Sequence, residues 1–99
     1  MNTFYQTDEF ADWLSHMKDH TSKALIAKRI EAAERGSFGD CEPVGDGVSE
    51  MRIHYGPGYR IYFMRRGEVV YLLLAGGDKS TQKRDIKRAK TLARTIPKE

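Results

Sequence analysis

Glu50, Arg52 and His54 alternate along the chain before Gly56-Pro57-Gly58, and Arg60 and Tyr62 alternate after it. Such alternation marks β-strands, in which every second side chain shares a face. A three-residue loop at 56–58 sets Tyr55 opposite Tyr59 and predicts the pairs His54/Arg60, Arg52/Tyr62 and Glu50/Met64. Met51, Ile53, Ile61 and Phe63 then share the other, apolar face. A one-residue slip would mix the two sets and lose the core. A carboxylate, an imidazole and two guanidiniums on one surface are the groups that RNA cleavage by its own 2′-hydroxyl needs. A base takes the 2′-hydroxyl proton, cations meet the charge growing on phosphate, and an acid protonates the leaving 5′-oxygen. The same alternation also describes a solvated sheet face carrying ion pairs, and the residues alone leave both readings open.

Other groupings carry less. Gly77-Asp78-Lys79-Ser80 has the close of a phosphate-binding loop, but Asp78 stands where glycine is needed and the upstream glycine is missing. His16 and His20 have the four-residue spacing of helical metal ligands, without the glutamate of the HExxH motif and with His20 at a helix break. No metal or other cofactor is expected. Cys41 has no neighbour that would activate it and reads as a loop or packing residue. Tyr55 and Tyr59 flank the turn, where they can stack on bases. Charge is divided unevenly. Residues 1–78 carry nine Lys/Arg against twelve Asp/Glu, whereas 79–99 carry eight against two, so the net +3 conceals a tail of +6. That tail points to an anionic partner or to a solvated helix face.

The elements that must position these residues follow from period and punctuation. Asn2–Gln6 is a short strand, Thr7 or Asp8 caps a helix burying Phe10, Trp13, Leu14 and Met17, and a second helix runs over about 22–35. Gly36 stops it, and 36–47 reads as a loop. Strands follow from Val48, over 59–65 and over 68–75, with Gly76-Gly77-Asp78-Lys79 closing the last. Ser80 or Thr81 caps a final helix to about Thr95 that buries Ile86, Ala89, Leu92, Ala93 and Ile96, and Pro97 ends it. Lys83, Arg84, Lys87 and Arg88 remain outward, as candidate RNA contacts together with Tyr62 of the polar sheet face. The expected architecture is α+β: strand, helical hairpin, antiparallel sheet and C-terminal helix, in one domain over 1–99. The longest apolar run, Val69 to Ala75, has seven residues, far from the roughly 20 of a membrane span. The N-terminal residues lack the features of a signal peptide and one cysteine forms no internal disulfide, so a reducing cytoplasm is expected.

Four stretches then carry a resemblance: Gly36–Asp40, Pro43–Ile53, Gly56–Phe63 and Leu74–Gln82. Together they resemble the RelE/ParE superfamily of toxins, closest to its HigB-like addiction-module killer branch, over most of the chain from Phe4 to about Ile96. The resemblance implies a RelE-like fold. It also implies a toxin that stops translation by metal-independent cleavage of mRNA, often on the ribosome, and that a cognate antitoxin silences. Arg60 matches the family's strand arginine on the scissile phosphate, Glu50 and Arg52 its Glu-x-Arg stretch, and Lys79 the basic residue after the last strand. His54 joins them by its place on the sheet, with Glu50 or His54 as base and Arg52 as orienting group. No histidine follows His54 and no tyrosine follows Tyr71, although several family nucleases place one late in the domain. ParE-like relatives share the fold and inhibit DNA gyrase instead, and a plain RNA-binding module is a third reading.

Overall fold

A computed structural model describes residues 1–96. Its elements are β1 (Thr3–Gln6), α1 (Asp8–Ser15), α2 (His20–Glu34), β2 (Cys41–Gly45), β3 (Val48–Ile53), β4 (Tyr59–Arg65), β5 (Val70–Asp78), a 3₁₀ turn (Lys79–Thr81) and α3 (Gln82–Thr95). The five strands form one sheet in the order β1-β5-β4-β3-β2. Its pairs are antiparallel except β1 with β5, which run parallel, so the sheet is mixed. The fold is α+β, as expected. The part of the reading that placed Pro97 at the helix end lies outside the described residues.

Local chemistry accounts for most boundaries. The Thr7 hydroxyl accepts from the Phe10 N–H at 3.0 Å and donates to the Leu74 carbonyl at 2.7 Å, capping α1 and tying it to β5. Asp19 caps α2 by accepting from the Thr21 N–H and the Ser22 hydroxyl, which starts that helix two residues earlier than the expected 22. Gly36 ends it at φ +94°, where its N–H and that of Ser37 turn back to the carbonyls of Ala33 and Ala32.

The expected loop over 36–47 holds an edge strand instead. Cys41–Gly45 pairs with β3 through a two-residue turn, Asp46-Gly47, with φ of 57° and 77°. An Asp-Gly pair is the standard hairpin signal for such a turn, and Pro43 is tolerated because the strand lies at an edge.

The β3–β4 register is displaced by two residues from the expected one. Ile53 faces Tyr59, Arg52 faces Arg60 and Glu50 faces Tyr62, leaving a five-residue loop over 54–58. Gly56 and Gly58 both need positive φ, and His54 leaves the ladder for another partner. An even displacement keeps every side chain on its expected face.

Both faces are covered. Phe10, Ile26 and Ala33 of the helical hairpin pack on Met51, Ile53, Ile61, Phe63 and Leu73. On the other side α3 lays Ala89 and Ala93 against Val48, Tyr62, Leu72, Leu74 and Ala75. A bulge in β5 pairs Phe63 with Leu73 but Tyr62 with Ala75, so Leu74 and Ala75 both serve the α3 core. Leu73 faces the hairpin core and Leu72 and Leu74 the α3 core, so the strand is apolar on both faces and shows no polar alternation.

Gly76 and Gly77, expected to close β5, lie inside it. The Trp13 ring presses on Gly76 and the Asp85 carboxylate on Gly77, leaving no room for a Cβ at either. Gly76→Ala should therefore destabilise the fold by about 1–3 kcal/mol through overpacking, read as a drop of several degrees in Tm. Gly67→Ala, where a Cβ meets nothing, should leave Tm nearly unchanged.

Candidate functional site

Glu50 projects from β3 beneath α3 and is fully buried. Its Oε1 accepts from Arg52 Nε at 3.0 Å, and its Oε2 accepts from the Tyr62 hydroxyl at 3.0 Å and from Gln82 Nε2 at 2.7 Å. Those donors belong to β3, β4 and α3, so one carboxylate ties three elements. Burial works to raise the Glu50 pKa, but the bonds from Gln82, Arg52 and Tyr62 outweigh it and hold the carboxyl below its ordinary 4.5. Burial and the adjoining Glu50 charge push the Tyr62 phenol far up, so it remains a donor. Arg52 also pairs with Glu42 of β2 at 2.9 Å and stays partly exposed.

Arg60 lies opposite Arg52 and is 6% exposed. Its Nη1 donates to the carbonyls of Gly58 at 3.3 Å and Tyr59 at 3.2 Å. Its Nε is 3.9 Å from Glu50 Oε1, too far for a hydrogen bond, and is buried without a partner. The Glu50 carboxylate is the anion that this buried N–H faces, at ion-pair distance.

Lys79 and Arg60 both approach Gly58, which has φ +81°. A Cβ on that glycine would lie 2.7 Å from Lys79 Cδ and 3.6 Å from Arg60 Nη1. Glycine thus lets the exposed lysine lie close against the backbone that holds the buried arginine. From Lys79 the surface continues over Ser80, Thr81, Gln82, Lys83 and Arg84 as a shallow depression of about 490 Å³.

The structure brings Glu50, Arg52, Arg60 and Tyr62 together beneath the start of α3, with Lys79 beside Arg60. His54 stands apart from that cluster. It lies beyond the end of β3 with its side chain 69% exposed, and its Nε2 is 2.6 Å from Asp40 Oδ2. The hydrogen bond with His54 holds the Asp40 carboxyl below its ordinary value. Sequence reading missed Asp40 because only the β2–β3 pairing carries it to His54. Gln82 was missed for the same kind of reason, 32 residues from Glu50.

Two site expectations change. Tyr62 cannot stack on RNA, since it is fully buried and its hydroxyl is bound to Glu50. Glu50 cannot reach a 2′-hydroxyl, because both its oxygens are committed and its side chain is 1% exposed. The polar face is therefore the lid of a second core, not open surface. Along α3, Lys83, Arg84 and Lys87 are exposed, while Arg88 is held by Glu9 of α1 at 2.8 Å. Cys41 is half-buried in β2 with its thiol directed to the Phe38 carbonyl, and burial pushes its pKa up. His16 follows the end of α1 and His20 opens α2, so they do not share a helix face.

These features define a class: a small α+β protein in which a basic helix closes a mixed sheet over a buried carboxylate and a cationic strand end. The phage-derived Gp49-like family (DUF891) matches over residues 12–96, and the chain belongs to that family, one of toxin–antitoxin toxins of the RelE/HigB-like kind. An uncharacterised protein of Haemophilus influenzae is 48% identical over 87 residues, 88% of each chain. No solved structure matches. The family implies an antitoxin partner. Among the described residues no helix is long and apolar enough to cross a membrane.

Glu50 makes a specific demand on pH. Its folded pKa lies below its unfolded one, so its stabilisation is complete above about pH 4.5 and is lost as pH falls through the lowered value. Glu50→Gln should cost about 3 kcal/mol or more at pH 7, the scale of breaking a buried ion pair. Urea unfolding of the two proteins should give curves of stability against pH that converge on acidification below pH 4.5.

Proposed function

We propose that this chain is a metal-independent mRNA endoribonuclease toxin that acts in the cytoplasm on ribosome-associated messages until its cognate antitoxin covers it. The approach of both the Arg60 Nη1 end and the exposed Lys79 to Gly58 carries the reading. A guanidinium fixed by two backbone carbonyls offers its remaining N–H groups in a set orientation, the geometry that phosphate oxygens accept. Lys79 adds a point charge on the solvent side. Side chains thereby supply the positive charge that the phosphorane requires.

The proposed roles divide as follows. His54, oriented by Asp40, takes the proton from a 2′-hydroxyl. The 2′-oxygen bonds to the adjacent phosphorus, the bond from phosphorus to the 5′-oxygen breaks, and that oxygen takes a proton from solvent water as it leaves, the hydroxide being neutralised by the proton held on His54. The products are a 2′,3′-cyclic phosphate and a 5′-hydroxyl end. Glu50 acts through Arg52 and Arg60 and is a positioning residue. Lys83, Arg84 and Lys87 follow the RNA backbone along α3. An acidic antitoxin segment suits the +6 balance of residues 79–99.

A second reading has one observation in its favour. Saturation of Glu50 leaves His54 as the remaining candidate base, which suits a ParE-like inhibitor of DNA gyrase without nuclease activity. Mapping RNA 5′-hydroxyl ends after induction separates the two. New ends support the nuclease, and DNA damage without them supports the inhibitor.

Arg60→Ala should reduce cleavage by about 10²–10³-fold, and Arg60→Lys should recover only part of it. Because Arg60 is buried, its truncation also lowers stability, so the exposed Lys79→Ala serves beside it and should reduce cleavage with Tm unchanged. Full activity in folded Arg60→Ala and Lys79→Ala proteins would place the site elsewhere.

Replacing Lys83, Arg84 and Lys87 together by alanine should weaken RNA binding and flatten its salt dependence by about 0.7 in log–log slope per lost phosphate contact. Helicity should persist, since alanine favours helix and these positions face solvent. Arg88→Ala should change the slope less, because Glu9 already neutralises it.

A further inference from the structure

Tyr59 and Arg60 are neighbours on β4 and project to opposite faces of the sheet. Arg60 lies on the α3 side, and Tyr59 on the side of the helical hairpin, where it packs against that core. There the Tyr59 ring meets Trp13 edge-on, with centroids 6.2 Å apart. With Met17, Asp12 and His16, these rings line a shallow depression of about 430 Å³. Its floor is aromatic and apolar, and its rim carries a carboxylate and an imidazole.

The rim groups are available. Asp12 is exposed, and its carboxylate makes no hydrogen bond or ion pair with another described residue. Its backbone carbonyl holds His16 Nδ1 at 2.7 Å, which fixes the imidazole at the rim. The depression lies at the same end of the sheet as the cation pair, since Tyr59 pairs with Asp78, the residue before Lys79. The Tyr59 carbonyl accepts from Arg60 Nη1, and Gly58, beneath Lys79, immediately precedes it.

The geometry points to a nucleobase subsite in which Trp13 and Tyr59 hold one base of an RNA whose phosphate lies on Arg60 and Lys79, with Asp12 selecting guanine. This inference takes its RNA from the endoribonuclease reading above. Aromatic surfaces hold any base by stacking, so the floor supplies affinity without identity. Identity comes from the rim. An ionised carboxylate only accepts hydrogen bonds, and it repels phosphate, so this surface suits a base edge and not the backbone. Guanine alone presents two adjacent donors on its Watson–Crick edge, the N1–H and the N2 amino group. Adenine and cytosine each set one amino group beside an acceptor, and uracil sets one N–H between two carbonyls. A two-point contact with Asp12 therefore favours guanine.

Trp13 is the single tryptophan, so its fluorescence reports on this surface. The protein is titrated with GMP, AMP, CMP and UMP. It is then titrated with 2′-O-methyl oligoribonucleotides, which cannot be cleaved, carrying one guanine or one other purine in a uridine background. Guanine should quench Trp13 with an affinity about tenfold or more above the other bases. Asp12→Asn should erase that preference while circular dichroism stays unchanged, because Asp12 is an exposed residue. Equal quenching by all four bases, no quenching, or a guanine preference that survives Asp12→Asn overturns the subsite. Cleavage is scored separately: guanine-selective quenching without any RNA cleavage would defeat the nuclease reading and retain the subsite, whereas cleavage without selective quenching would do the reverse.

Discussion

A carboxylate taken out of water persists only where donors replace the water, and at Glu50 that requirement determines how the protein closes. Its donors come from Arg52 on the same strand, Tyr62 on the next and Gln82 on α3. The start of α3 must therefore lie over β3 and β4. Farther along, the helix meets the sheet through the small Ala89 and Ala93, which permit close approach. A polar clamp at one end and an apolar seam at the other fix both the position and the rotation of the helix. Gly77 belongs to the same arrangement, since its missing side chain makes room for Asp85. Arg60 is held in the polar half, near Glu50 but not bonded to it.

The division of side chains between sheet faces was legible in the sequence, and it survived an error in pairing. A two-residue displacement preserves parity, so Met51, Ile53, Ile61 and Phe63 reach the expected core although their partners differ. What parity cannot show is whether the polar face meets water. Glu50, Arg52, Arg60 and Tyr62 have the local pattern of a solvated strand, and the helix that covers three of them comes from residues 82–95. Asp46-Gly47 did carry a readable hairpin signal, obscured by the glycines and proline around it. Gly76 and Gly77 misled in another way: they mark contact with a ring and a carboxylate, not the end of a strand. The Asp40–His54 pair left no local sign, being formed by strand pairing alone.

The basic tail is also less uniform than its composition. Arg88 is held by Glu9, Arg84 lies 3.4 Å from Asp85, and Arg94 approaches Asp46 at 3.8 Å. Exposed pairs of this kind contribute little to stability, but they lower the charge available to an anionic partner. Lys79, Lys83 and Lys87 remain as exposed cations on one side of the helix start. Exposed positive charge without an ion pair among the described residues is thereby concentrated at Lys79 and Lys83, around the helix start. The Gp49-like family gives that concentration a context, since its toxins work beside an antitoxin. The surface proposed to meet a substrate phosphate is then also suited to an acidic segment of the inhibitor.

Arg60 is proposed to receive an RNA phosphate together with the exposed Lys79, at the outer end of its guanidinium. Its Nε–H can be observed directly by ¹⁵N NMR while the protein is titrated with an uncleavable oligoribonucleotide. Saturable movement of the Arg60 Nε–H resonance is expected, with the same apparent Kd as the Lys79 and Lys83 backbone amides. Saturation of those amides with the Arg60 resonance unmoved would contradict the claim.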